Sequence, residues 1–396
     1  MRNLNLKCLW PCIFLAGCGA GVDPTDGTLR SNNGEQKAEE TTKAKDDLVI
    51  DGKKYKYRGK AKKWEGNSPS PLPGEVQVHE TAPPGPKMRS YDDLPDEALA
   101  EAMRPIVFYD DSEYILEKPD VEMAKRIKEA VKNRTPARTE GFVPPGLKKA
   151  IPPGQEGSDT AEFVIGSDDR VHLNHWSYPE STVTHLFGVG HDCTATAVGP
   201  HTFLTAAHCL IANSGQWYGW PNVVPGRDTS DIGNERPYGT WNNIARAVPQ
   251  QYVGSNEDWF WDFAIIVTWG IYEDPRPGDL TGWMGIIVQD SPDPIWDRWL
   301  GLYGYPVDKT PFGSPWGHGR CCDQSNSFWF DDKLIFYYMD AVHGQSGAGV
   351  HTWDGGWPYV RIIHQAERTM WWNSYNTGRL IDSGVFNFFA SMTPDF

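Results

Sequence analysis

The sequence predicts an all-β fold for its C-terminal part, from about residue 163 to the last residue, 396. Three observations carry this expectation. After Glu162, short runs of β-branched and aromatic residues alternate with Gly, Pro, Asn and Asp turns. Helical periodicity is nearly absent there until the very end. Most of the 18 Trp lie after residue 170, which places the packed core in this part. The pattern fits an antiparallel barrel or sandwich, and the length suits two six-stranded barrels. The exception comes last: Ile381, Val385, Phe388 and Phe389 fall at helical spacing. A closing helix is expected, capped by Asp382 or Ser383.

Upstream the texture differs. Arg2 and Lys7 precede a short apolar stretch, Cys8 to Gly17, that ends Leu15-Ala16-Gly17-Cys18. This resembles a bacterial lipoprotein signal peptide, 1–17, and implies that Cys18 is lipidated and anchors the chain to a membrane. An ordinary secretory signal is the alternative, and both readings place the protein outside the cytoplasm. From Gly19 to about Pro86 the chain is Lys, Glu, Asp, Thr, Gly, Ser and Pro with few large apolar residues. Such a composition buries too little surface to offset ordering entropy, so a tether of low order is expected. Two short helices follow before Asn133. Asp93 is expected to cap the first, with Pro95 in its first turn and Pro105 ending it, and Asp120 the second. Ile106 to Tyr109 between them reads as a strand. Residues 18–162 are thus expected to be tether and propeptide, and 163–396 the main domain.

The formal net charge is -15, which excludes the basic footprint of a nucleic-acid binder. No His-x-x-x-His or Cys-x-x-Cys spacing announces a metal, and no cofactor is expected. Four cysteines remain past residue 18: Cys193, Cys209, Cys321 and Cys322. Four cysteines allow three pairings.

Three places carry chemistry. Asp340 to Val350 reads D-A-V-H-G-Q-S-G-A-G-V, with Ser346 between glycines. Glycines there let a substrate carbonyl approach main-chain N–H groups. Ser346 is a candidate nucleophile, with the N–H groups of Gly344 and Ser346 as oxyanion donors. Cys193 to Cys209 holds two strand-like runs around Gly199-Pro200-His201, then the corner Thr205-Ala-Ala-His208-Cys209. A Cys193–Cys209 bond would staple the hairpin under His208. Asp262 heads the apolar run Phe263 to Val267. A buried carboxylate needs a partner, and a histidine N–H provides one.

The order His208, Asp262, Ser346 matches the arrangement of chymotrypsin-like serine proteases. From about Val164 onward the chain resembles their bacterial glutamyl endopeptidase branch. The resemblance rests on Val164-Ile-Gly-Ser-Asp-Asp-Arg170, the Cys193–Cys209 segment, Asp262-Phe-Ala-Ile and Gly304-Tyr-Pro-Val-Asp-Lys309. Gly344-Gln-Ser-Gly347 and Asn376-Thr-Gly-Arg379 complete it. It implies two barrels, the triad, peptide or protein substrates, and a preference for Glu or Asp before the scissile bond. It also implies that His364 contacts the substrate carboxylate.

Two departures complicate the specificity. Ala341 stands where the family expects a threonine, so one hydroxyl donor is missing. Asp340 stands where trypsin-like members bind Lys or Arg, so cleavage after those residues is the alternative. Gln345 replaces the aspartate of trypsin-like zymogens, so their amine-to-aspartate switch cannot operate. Cleavage near Glu162 to Val164 is expected to complete activation. A catalytically silent module on the same fold is the rival from another class; its mark would be a broken triad.

Overall fold

A computed structural model describes residues 47–50, 52–63, 90–150 and 168–393, less 189–190, 220–221, 242–244, 256–258, 269–274, 291–294, 296–297, 322–324, 328–330 and 371–372. They belong to one compact unit, Lys45–Phe396. The expected signal peptide, Cys18, the expected cleavage region at 162–164 and Cys322 lie outside the described residues.

The strands of the first part are β1 (Leu48–Ile50), β2 (Lys53–Lys60), β3 (Pro105–Tyr109), β4 (Ser112–Leu116), β5 (Lys148–Lys149), β6 (Val171–His172) and β7 (Ser177–Tyr178). Then come β8 (Val183–Gly188), β9 (His191–Ala197), β10 (Thr202–Thr205), β11 (Asn222–Pro225), β12 (Ala245–Pro249) and β13 (Ala264–Val267). The last are β14 (Gly285–Ile286), β15 (Trp299–Gly304), β16 (Trp316–Cys321), β17 (Ser325–Ser327), β18 (Asp331–Tyr337), β19 (Gly349–Asp354), β20 (Trp357–Met370) and β21 (Asn373–Leu380). The helices are α1 (Asp96–Ala102), α2 (Val121–Asn133), α3 (Pro277–Thr281) and α4 (Ser383–Ala390).

Two large sheets result. The first runs β1-β2-β4-β3-β12-β13-β10-β9-β8-β11, and all its pairings are antiparallel. The second runs β17-β18-β21-β20-β19-β15-β16-β6, with β14 alongside β20. The mostly-β expectation holds. The count of six strands per half does not describe the sheets: β8 to β13 form the expected part of the first, and β1 to β4 extend it beyond β12. The second sheet has nine strands.

β13 shows why the first sheet forms. Its residues Ala264 to Val267 are all buried, and it lies between β10 and β12. A strand covered on both faces reads as a continuous apolar run rather than an alternation. Phe263, just before it, meets Phe388 and Phe389 of α4 edge-on. α4 starts as expected: the Asp382 carboxylate accepts from the Val385 N–H at 3.0 Å. A smaller core that includes Leu300, Leu302, Val350 and Ile362 sits within the second sheet.

The expected low order of 18–162 does not extend to the described stretches 47–63 and 90–150. The two helices and the strand between them lie near the expected places, and Asp120 caps α2 through the Met123 N–H at 2.8 Å. Asp93 does not cap α1; that helix begins at Asp96 after Pro95. The physical reason for the order is borrowed burial. Tyr55, Tyr91, Leu99, Phe108, Met123 and Ile127 are sunk in the same core as Phe263, Ile265 and Phe388. A segment too poor in apolar residues to build its own core completes one supplied by its neighbours.

Candidate active site

Strand register brings the histidine and the carboxylate together. Thr205 at the end of β10 is paired with Ala264 at the start of β13. His208 lies three residues beyond the first and Asp262 two before the second, so both emerge at the same end of the pair. Asp262 uses both oxygens on His208. Its Oδ1 accepts from the His208 backbone N–H at 2.9 Å, and Oδ2 lies 2.7 Å from the ring Nδ1. Both residues are buried. A carboxylate on Nδ1 favours the Nδ1–H tautomer and leaves Nε2 as the basic atom. The Cys193–Cys209 disulfide is formed and ties β9 to the histidine turn.

Ser346 comes from the loop between β18 and β19, and that loop rests on the histidine corner. Gly347 has φ +85°, and a Cβ there would sit 2.1 Å from Thr205 Oγ1. Only glycine allows this approach. The Thr194 N–H donates to the Ser346 carbonyl at 2.8 Å. The Ser346 hydroxyl donates to the Gln365 carbonyl at 3.1 Å, not to His208. The side-chain amide of the same Gln365 donates to the carbonyls of Trp259 and Asp262, at 2.8 and 3.0 Å. One residue of β20 thus touches both the serine hydroxyl and the main chain of the aspartate.

The glycine before the serine is set from both sides. Gly344 has φ +93°, and a Cβ there would fall 2.3 Å from the Tyr305 carbonyl. The carbonyl of His343 accepts from the Val307 N–H at 2.9 Å. Because a trans peptide points C=O and N–H in opposite directions, this aims the Gly344 N–H away from Val307. The Gly344 carbonyl accepts from the Thr194 hydroxyl at 2.8 Å. Neither the Gly344 nor the Ser346 N–H makes a hydrogen bond among the described residues. Gln345 Oε1 accepts from the Val342 N–H at 2.9 Å and from Arg170 at 3.3 Å. Arg170 also binds Asp168 and Asp308, and its bonds, with Lys309, hold the Asp168 carboxyl well below the usual range.

The specificity candidates sit close by. The His364 backbone N–H donates to Ala348, and its carbonyl accepts from Gly347, so β20 is fastened to the serine turn. Its ring is buried, with Nδ1 2.6 Å from the Tyr337 hydroxyl. Burial, and then the nearby His208, push its pKa down to about 3, so the ring is neutral. Asp340 is buried. Its Oδ2 accepts from the Asp169 N–H at 2.8 Å and lies 3.3 Å from His318 Nδ1, and Oδ1 has no hydrogen-bond partner. Ala341 is buried and offers no polar group.

Thr194, Gln365, Arg170 and Tyr337 escaped the sequence reading. Each acts across a long separation, 150 residues for Thr194 to Gly344 and 103 for Gln365 to Asp262. Arg170 and Thr194 lay within quoted motifs, Val164-Ile-Gly-Ser-Asp-Asp-Arg170 and the Cys193–Cys209 segment, but neither motif assigned them a role.

Comparison with known proteins follows the same lines. The chain is 29% identical over 232 residues to the glutamyl endopeptidase of Bacillus licheniformis, covering 57% of this chain and 67% of that one. It is 28% identical over 233 residues to a Bacillus subtilis protein named extracellular metalloprotease, with the same coverage. A solved Glu endopeptidase structure, in complex with MPD, matches at TM-score 0.48 and 23% identity over 58% of this chain and 98% of that one. No family model matches the chain. The second relative's name raises the question of a metal. Among the described residues, the cluster of candidate ligand atoms is Cys193, His208 and Cys209. Two of those donors are the sulfurs of a disulfide, which lack the thiolate that binds a metal.

Proposed function

We propose, for a chain that is a relative of the glutamyl endopeptidases and a serine endopeptidase of the chymotrypsin-like class, that Ser346, His208 and Asp262 carry the reaction. The observation behind this reading is the double contact of Asp262 on His208, beside a serine turn whose two N–H groups are unused. The Ser346 hydroxyl leaves the Gln365 carbonyl and turns to His208 Nε2. Its oxygen attacks the substrate carbonyl while His208 takes the proton. Asp262 holds the tautomer and stabilises the imidazolium. The N–H groups of Gly344 and Ser346 donate to the oxyanion; one such donor is worth roughly 10²–10³ in rate. His208 then protonates the leaving amine, and water hydrolyses the acyl-enzyme. A fluorophosphonate probe tests this: it labels the mature protein and fails on Ser346→Ala. No labelling of the mature protein selects the silent module instead.

Preference for Glu or Asp rests on His364. Tyr337 engages Nδ1, which leaves Nε2 to meet a substrate carboxylate. The alternative, cleavage after Lys or Arg, is favoured by one observation: Asp340 Oδ1 is buried without a partner. Peptide-library digestion of the wild type, His364→Ala and Asp340→Asn separates the two.

Export, lipidation at Cys18 and proteolytic activation belong to the same proposal. Residues 168–170 are seated against Asp340, Asp308 and Gln345, so a cut just upstream would act beside the nucleophile loop. Mass spectrometry of the active protein is expected to find a terminus between Glu162 and Val164. Full activity of the uncut chain refutes that step. Incorporation of labelled fatty acid, abolished by Cys18→Ala, tests the anchor.

A further inference from the structure

We infer that residues 47–150 are a permanent lobe of the enzyme, and that a cut between 150 and 168 leaves the two pieces bound as one two-chain protein. Here the catalytic part is built to receive the lobe at four separate places.

The first is the sheet. β3 pairs with β12 in register from Arg246↔Phe108 to Pro249↔Pro105. The other edge of β12 pairs with β13, which begins two residues after Asp262. Stripping β3 away would bare a row of backbone groups on β12 and take from the buried Arg246 the ring of Phe108 on which it stacks.

The second is a buried polar network. Arg379 and Asp382 are fully buried and paired at 2.8 Å. The Tyr91 hydroxyl of the lobe completes them, accepting from Arg379 at 2.9 Å and donating to Asp382 at 3.1 Å. Arg379 also donates to the carbonyl of Phe260, two residues before Asp262. Removing one member of a buried charged network costs far more than the pair itself contributes, because the rest is left desolvated. The catalytic side has made room for this tyrosine. Gly384, on α4, would carry a Cβ only 2.0 Å from Tyr91 Oη.

The third is Trp217, fully buried. Its ring N–H donates to Glu113 at 2.9 Å and its backbone N–H to the Lys62 carbonyl at 2.8 Å. The fourth is the strap after α2. Phe142 and Trp283 exchange backbone bonds at 2.9 and 3.1 Å and stack 4.5 Å apart. Glu140 accepts from the Tyr359 hydroxyl at 2.8 Å. Among the described residues, no hydrogen bond of the lobe goes to His208, Ser346, Gly344 or His364.

Whatever lies upstream of residue 47 therefore stays with the catalytic part after a cut. The test inserts a site for a sequence-specific protease between 151 and 163 of the Ser346→Ala chain, which cannot process itself. After cleavage the pieces are expected to elute together at the volume of the uncut chain, in physiological and in high salt, and to part only in denaturant. Separation in native buffer overturns the inference. Co-elution requires no turnover, so the result stands apart from the fate of the protease reading. In the Ser346 form, the cut complex is expected to keep its fluorophosphonate labelling.

Discussion

Two buried histidines belong to different sheets, one in the corner after β10 and one on β20, and their partners differ. His208, at the end of the first sheet's β10, has a carboxylate on Nδ1 at 2.7 Å. His364, on the second sheet's β20, has a tyrosine hydroxyl there at 2.6 Å. A carboxylate stabilises the imidazolium that forms when a base takes a proton. A neutral hydroxyl does not, and burial leaves the His364 ring uncharged. The same side chain thus has an anionic partner on Nδ1 in one place, which suits the base of the proposed reaction, and a neutral hydroxyl in the other. The difference lies in the partner, not in depth, since both rings are almost wholly buried.

The largest effects should come from the first sheet's side and the serine it serves. Ser346→Ala is expected to lower kcat by roughly 10⁵–10⁶ without shifting the denaturant midpoint. Asp262→Asn is expected to lower it about 10⁴-fold, because the asparagine reverses the tautomer and cannot hold the imidazolium. A loss below about tenfold in Asp262→Asn would mean that the two histidines are not differentiated by their partners. A smaller effect falls on stability. Replacing Cys193 and Cys209 together by Ala should cost about 3 kcal/mol, read as a lower urea midpoint. An unchanged midpoint would show that the histidine corner is held by its strand pairing alone.

How much of this was legible from the chain depends on how far apart the partners lie in it. His208, Asp262 and Ser346 each sit in a local signature: a cysteine-flanked corner, an aspartate at the head of an apolar strand, a glycine-bracketed serine. Their environment is different. Thr194, which braces both Tyr305 and Gly344, is one threonine in an unremarkable run of strand residues. Gln365 gives no sign that its amide will reach Asp262. The upstream lobe was hidden for another reason. Composition measures whether a segment can bury itself, whereas Tyr91 and Phe108 are buried by residues more than a hundred positions away. The buried and half-buried residues of β4, Ser-Glu-Tyr-Ile-Leu, do alternate, but the run is short and is flanked by Asp110, Asp111, Glu117 and Lys118.

The finest test concerns His364 itself. The Tyr337 hydroxyl has one proton and two neighbours, His364 Nδ1 at 2.6 Å and the Thr377 carbonyl at 3.2 Å; when it donates to Nδ1, the ring proton stays on Nε2, where a substrate carboxylate would accept it. Tyr337→Phe removes that bias, and kcat/KM for a Glu substrate should fall about tenfold, near 1.4 kcal/mol, while an uncharged substrate is little affected. The pH dependence sharpens the point. The folded pKa of about 3 lies below the ordinary value of 6.5, so the ring gains its proton only far into acid. Between about pH 5 and 8 the preference for Glu over Gln should therefore stay level, because neither the ring nor the substrate carboxylate titrates appreciably. A preference that climbs as the pH falls through about 6.5 would mean that His364 charges like an exposed histidine. The second sheet would then recognise acid by charge, and the contrast between the two histidines would reduce to which one carries an aspartate.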